Sequence, residues 1–211
     1  KKDSYEAVLE NFRRGKLDIL VGTQMIAKGL DLPNVTLVGI IAADLALNIP
    51  DFRAAEHTFQ LITQVSGRTN RGALKGEVVL QTFSPGLPVI LCAAKQDYLS
   101  FYSIEHKYRK ELKYPPYVRF VNVCFRGTDE VSLASFANDI CAQIKLDLKG
   151  KKVMCKGPNP SPIKKLNKFY RWNMVIGASN IHEITKILRK YAFYENMGCQ
   201  VVVDVDPLSL L

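Results

Sequence analysis

The sequence predicts an α/β chain in two parts: a parallel sheet with flanking helices, then a smaller α+β unit. Three observations predict it. Short apolar runs alternate with helical patterns up to about residue 112, as in chains built on parallel strands. Pro115-Pro116 then interrupts the chain, because neither proline can continue a helix. Beyond it the periodicity reads β-α-β-β-α-β, the order of a ferredoxin-like unit. The expected division is therefore 1–116 and 117–211.

Each element has a local reason. Tyr5, Val8, Leu9 and Phe12 are spaced for one helical face up to Arg14, and Gly15 stops that helix. Asp18-Ile-Leu-Val-Gly22 reads as a short strand, and 34–43 as a longer apolar strand buried on both faces. Asp51 is placed to cap a helix that runs to Val65. Gly76 to Phe83 is another strand. Val89 to Leu112 reads as one helix, with Tyr98, Phe101, Ile104, Tyr108 and Leu112 expected as a packing stripe. In the second part, Val118–Phe125, Lys152–Lys156, Arg171–Gly177 and Gln200–Asp206 are expected strands, with a proline-rich loop after the second. Val131–Leu148 and Ile181–Tyr194 are expected helices.

Composition narrows the function. The 211 residues are 47% hydrophobic, enough for a buried core, and no apolar run of about 18 residues predicts a membrane span. The chain starts at Lys1 without an initiator Met or an apolar signal region, so it is expected to be a piece of a longer protein. Five cysteines, with no pair at knuckle spacing, are expected as buried free thiols, and no metal site is expected. The net charge of +9 is uneven, +3 over 1–116 and +6 over 117–211, which favours a polyanionic partner.

Two segments carry the chemistry. Gln64-Val-Ser-Gly-Arg-Thr-Asn-Arg71 has the pattern Q-x-x-G-R-x-x-R. Arginines three apart share one side of a helix, where two fixed guanidinium forks suit a polyphosphate. Taken alone, such a pair is usually just a solvated helix face. Upstream lies Thr23-Gln-Met-Ile-Ala-Lys-Gly-Leu-Asp31. In the second part, nine of the residues from Lys145 to Arg171 are Lys or Arg, with Asp147 the lone acid and Phe169, Tyr170 and Trp172 at the end. Lysines neutralise phosphates and exposed aromatics stack on unpaired bases; the alternative is an exposed basic loop in which strand alternation puts some of these aromatics, Trp172 among them, in the core.

In this order the two segments resemble motifs V and VI of the second RecA-like lobe of superfamily-2 helicases. Thr23-Gln-Met-Ile-Ala-Lys-Gly29, Pro50-Asp-Phe-Arg-Ala-Ala-Glu56, Gln64-Val-Ser-Gly-Arg68 and Tyr114-Pro-Pro-Tyr117 together resemble the bacterial PriA family of primosomal replication-restart helicases. The resemblance runs from about Asp18 to Pro207. It departs at Asn70, where the family usually carries glycine.

That resemblance implies an ATP-dependent 3′-to-5′ DNA helicase that acts in replication restart and primosome assembly at stalled forks. Arg71 is then the arginine finger, Arg68 its neighbour at the γ-phosphate, and Gln64 their positioning residue. Gly29 and Asp31 approach the nucleotide; Thr23, Gln24 and Lys28 touch single-stranded DNA. Lys164, Lys165, Lys168, Arg171 and Trp172 form the expected DNA surface of the second part. ATP and Mg²⁺ would be held mainly by a first lobe, since no G-x-x-x-x-G-K-[ST] loop occurs here and the chain alone is expected not to hydrolyse ATP. Zinc is expected only in an insertion upstream. The implied partners are single-stranded and forked DNA, single-strand-binding protein and primosome loading proteins, for a monomer in the bacterial cytoplasm. Two rivals remain at this point. One is a non-catalytic nucleic-acid-binding module of ferredoxin-like type. The other is a metabolic α/β enzyme, although His57, His106 and His182 show no nucleophile partner.

Overall fold

A computed structural model describes residues 2–23, 35–67, 76–196 and 198–210. The chain divides into two compact units, Lys1–Asn48 with Ala54–Tyr102, and Ile49–Arg53 with Ser103–Leu211.

In the first unit, helix α1 (Lys2–Arg13) ends as expected. Gly15 takes φ +68°, Gly15 N donates to Phe12 O and Lys16 N to Asn11 O. This is the glycine-terminated cap that satisfies the last carbonyls. The strand expected at Asp18–Gly22 does not form; Ile19 and Val21 are exposed. A short apolar run becomes a strand only where another strand takes up its backbone groups, and among the described residues none does.

Strand β1 (Leu37–Ile40) pairs in parallel with β2 (Glu77–Leu80), Leu37 opposite Glu77 and Ile40 opposite Leu80. The expected ten-residue strand buried on both faces is thus four residues long and buried on one. Val38, Ile40, Val78 and Leu80 turn to the core while Leu37 and Val79 stay exposed. Helix α2 (Ala54–Ser66) and the short α3 (Pro88–Ala94) supply Phe59, Ile62, Val89, Ile90 and Ala93 to that core. Phe101 on α4 (Tyr98–Leu112) stacks on Phe59 with centroids 4.4 Å apart.

The single helix expected over 89–112 is two. Gln96 adopts φ +54°, and Asp97 Oδ1 accepts from Ser100 N at 3.0 Å, capping α4 afresh. Those hydrogen bonds from Ser100 also hold the Asp97 carboxyl below its ordinary value. Of the stripe expected to pack along α4, only Phe101 is buried. Tyr98, Ile104, Tyr108 and Leu112 are exposed.

The second unit has a five-stranded antiparallel sheet of order β4-β5-β3-β7-β6. Its strands are β3 (Arg119–Gly127), β4 (Val153–Leu166), β5 (Phe169–Ala178), β6 (Glu195–Asn196) and β7 (Cys199–Val205). Helices α5 (Glu130–Asp147) and α6 (Ile181–Leu188) complete the expected β-α-β-β-α-β order, with β6 an addition. Asp129 caps α5 by accepting from Ser132 N at 2.8 Å. Strand period two sends Val121, Val123, Phe125, Met174 and Ile176 to the face where Leu133, Ile140, Ile144, Ile184 and Leu188 pack.

Alternate residues Phe120, Asn122, Cys124 and Asn173 face the other way and are also buried. Phe52 lies edge-on to Phe120 at 5.7 Å, and Asn173 Nδ2 donates to Leu210 O at 3.1 Å. Asp51 Oδ2 accepts from Leu210 N at 3.0 Å and from the Ser209 hydroxyl at 2.6 Å. Its other oxygen accepts from Arg53 N at 2.9 Å. The expected cap of α2 is thus a turn within Asp51–Arg53 that also anchors the chain's final described residues.

Two further expectations change. The proline-rich loop after Lys156 is part of β4, which is 14 residues long. β4 is an edge strand with register shifts between Lys156 and Asn159 and between Pro160 and Lys165. Edges and bulges are where a strand tolerates residues without an N–H. Helix α6 ends at Leu188, short of Tyr194, because Phe193 N donates to Val201 O and Val201 N to Tyr194 O, taking the chain into pairing with β7.

Candidate nucleic-acid interface

The basic segment is built on the β4–β5 hairpin. Gly157, at φ +107°, makes the first bulge possible: a Cβ there would stand 2.6 Å from Asn173 O. Lys145 of α5 donates from Nζ to Gly157 O at 2.9 Å, so this lysine holds the bulge. At the far end Leu166 pairs with Phe169 and Lys165 with Tyr170 around the two-residue turn Asn167-Lys168, where Asn167 takes φ +57°. Asparagine tolerates that left-handed conformation better than most residues.

Lys164, Lys165 and Lys168 are all exposed and lie within five residues of one another at this end. Lys165 lies over the Tyr170 ring, 4.4 Å from its centroid, with its Nζ 3.4 Å from the Tyr170 hydroxyl. Arg171 and Trp172 on β5 are half-buried. Trp172 packs against the helix-side core, so its ring is a wall of that core rather than an open stacking surface. Phe169 is 46% exposed. Asp147 does not oppose the lysines freely: Lys190 at 2.6 Å and the Tyr191 hydroxyl bond it, and the Lys190 bond chiefly holds its carboxyl below the ordinary value. Lys151 is paired with Glu183.

One cation escaped the sequence reading. Arg126 of β3 lies directly opposite Arg171 of β5 and is exposed. The sequence signal was weak, since an arginine alone at the end of a strand looks like any solvated charge.

In the first unit, Thr23 is exposed at a bend and Gln64 is exposed on α2, two residues before that helix ends at Ser66. Gln24, Lys28, Gly29, Asp31, Arg68 and Arg71 lie outside the described residues. An open cleft of about 550 Å³, lined by Lys113, Tyr117, Lys152 and Met154 among others, contains none of the expected site residues. The five cysteines are free, four of them buried, and burial pushes the Cys141 thiol up to about 12. Thiols so placed pack rather than react. Among the described residues, no helix is long and apolar enough to cross a membrane.

Comparison with known proteins gives two matches to family models. Residues 110–208 match the primosomal protein N C-terminal domain, and residues 1–73 match the helicase conserved C-terminal domain. Proteins named replication restart protein PriA are similar along the chain. The Bacillus subtilis protein is 39% identical over 100% of this chain and 27% of its own length. That of Synechocystis is 38% identical over 100% of this chain and 25% of its own. That of Treponema pallidum is 37% identical over 98% and 32%. The chain therefore spans about a quarter to a third of the length of these curated relatives. With the domain match at 110–208 and the identity running along the whole chain, the chain belongs to the PriA family and corresponds to its C-terminal part.

Proposed function

We propose that the chain is the C-terminal part of an ATP-dependent 3′-to-5′ DNA helicase for replication restart and primosome assembly at stalled forks. Residues 1–116 would be the second RecA-like lobe and 117–211 a ferredoxin-like DNA-binding domain. The observation that carries the DNA-binding part is the crowding of Lys164, Lys165 and Lys168 at one exposed hairpin end, beside Arg126 and Arg171. Cations fixed on a rigid ribbon bind phosphates and release counterions. The parallel β1–β2 pair, the helicase match over 1–73 and the names of the relatives support the motor part.

In this reading Arg71 acts as arginine finger, Arg68 stands near the γ-phosphate and Gln64 positions both. Gly29 and Asp31 face the nucleotide, and Thr23, Gln24 and Lys28 follow single-stranded DNA. ATP and Mg²⁺ would supply the phosphoryl chemistry. Zinc belongs to an upstream insertion in the same reading. Single-strand-binding protein and primosome loading proteins are its partners, in the bacterial cytoplasm.

Equilibrium binding of the chain to forked DNA across a salt series tests the DNA-binding part. The expected result is a steep linear fall of log K with log salt. Lys164→Ala/Lys165→Ala/Lys168→Ala should flatten that slope by roughly two units, at about 0.7 for each phosphate the variant leaves unneutralised. An unchanged affinity and slope in the triple variant would remove these lysines from the interface.

A further inference from the structure

The geometry points to a base-contacting tip on the β4–β5 hairpin: Leu166 and Phe169 cover the first unpaired base at a DNA branch point, while the surrounding cations hold the phosphates. The inference rests on the DNA-binding reading above and adds to it which residues touch a base and where on the DNA.

Four observations carry it. First, Leu166 and Phe169 are a directly opposed cross-strand pair next to the two-residue turn, so their side chains rise on the same face. Both stay open to water, 52% and 46% exposed. Neither side chain belongs to the helix-side core, and an apolar pair set beside cations suits contact with a base.

Second, strand alternation separates this pair from the aromatics of the opposite face. Tyr170 and Trp172 turn to the helix side, where they pack against the core. Phe169 alone among the three aromatics of the segment is left to stack.

Third, the charge around the pair matches DNA. Arg171 follows Phe169 by two residues and so shares its face. Arg126 sits opposite Arg171, and Lys168 lies in the turn itself. An apolar patch rimmed by cations accepts a base while the cations take the flanking phosphates.

Fourth, the pair stands at the end of a ribbon, beside the turn, with Phe169 as its one aromatic ring. It offers area for a single base, unlike a row of aromatics that tracks successive bases along a strand. A single base with one free face is what a fork presents where duplex gives way to single strand.

A cycle between protein and DNA lesions tests this with the 211-residue chain. Binding is measured for a fork with an intact first unpaired nucleotide and for the same fork with that nucleotide abasic, with wild type and with Phe169→Ala. The expected result is a roughly tenfold loss for wild type on the abasic fork. Phe169→Ala should show the same loss on the intact fork and no further loss on the abasic one. Phe169→Tyr should restore the wild-type pattern, and an abasic site far along the single-stranded arm should cost nothing. The salt slope of Phe169→Ala should equal that of wild type, because stacking releases no counterions; a urea midpoint by Trp172 fluorescence verifies that the variant is folded.

Equal binding of wild type to intact and abasic forks, with the salt slope retained, would overturn the tip and leave the lysine reading standing. An equal loss from the distant abasic site would overturn the branch-point assignment. Absence of any salt-dependent DNA binding would overturn both this inference and the reading beneath it.

Discussion

Gly157→Ala should unfold the second unit far more readily than any other glycine substitution in it. The site has two independent penalties. At φ +107° an alanine is outside every region an L-residue favours, which costs about 1–3 kcal/mol. Its Cβ would also stand 2.6 Å from Asn173 O and 3.1 Å from Met174 Cα, both backbone atoms of the paired strand. Moving that strand to make room costs a further ~1–3 kcal/mol. Gly150 isolates the first penalty, since it has φ +83° with nothing within 4 Å of the added carbon. With a urea slope of about 2 kcal/mol per molar, a loss of ~4 kcal/mol in Gly157→Ala moves the midpoint down by about 2 M. Gly150→Ala should move it by about half of that. The reporter is built in, because Trp172 is the chain's sole tryptophan and lies on β5. A Gly157→Ala midpoint within about 0.3 M of wild type would refute the account of the bulge.

Other outcomes follow from the same structure. Asp51→Ala removes the acceptor of Arg53 N, Ser209 Oγ and Leu210 N, and should cost ~2 kcal/mol by the same unfolding assay while the Leu210 amide exchanges faster. A midpoint and exchange rate like wild type would mean the tail is not held there. Acid should destabilise the second unit. Hydrogen bonds from Ser132, Lys190 and Arg119 hold Asp129, Asp147 and Asp206 respectively below 3.8. Groups so depressed contribute stability that is present above 3.8 and lost as pH falls through their lower folded values, because the unfolded chain takes up protons first. The urea midpoint should therefore drop as pH is lowered from about 5 to 3, and less steeply in Asp206→Asn; a flat profile would contradict the sign. In the longer protein, Arg71→Ala should lower ATPase kcat by roughly 10³-fold or more with a smaller effect on nucleotide affinity. A folded variant with normal kcat would take Arg71 out of the mechanism.

What could be read in advance followed from local patterns. Gly15 marked its helix end by itself. The second unit's strands and helices followed their periodicity, because its core takes one face from each element and so writes that period into the chain. What could not be read depended on distant partners. Proline spacing in 158–162 argues for a loop until one knows that β4 is an edge strand with bulges. The break between α3 and α4 rests on a single aspartate cap at Asp97, which a continuous apolar pattern overrode. The role of Asp51 needed Ser209 and Leu210, more than 150 positions away. The candidate site was legible as a basic stretch with aromatics at its end. Which aromatic faces water was not, since that is set by the pairing of β5 with β3: it puts Trp172 opposite buried Phe125 and leaves Phe169, beyond the last paired residue, outside. Arg126 became a candidate only through its pairing with Arg171.

Lysine footprinting of the chain with and without forked DNA tests the central claim most directly. Amine-modifying reagent reacts with exposed lysines, and mass spectrometry reads each site separately. If the hairpin end is the DNA surface, bound fork should slow modification of Lys164 and Lys168 several-fold and that of Lys165 at least in part. Lys95, Lys107 and Lys110, exposed but far along the chain from the hairpin, should react as before. Protection spread evenly over all of these lysines, or absent from Lys164 and Lys168 while DNA is bound, would contradict the account.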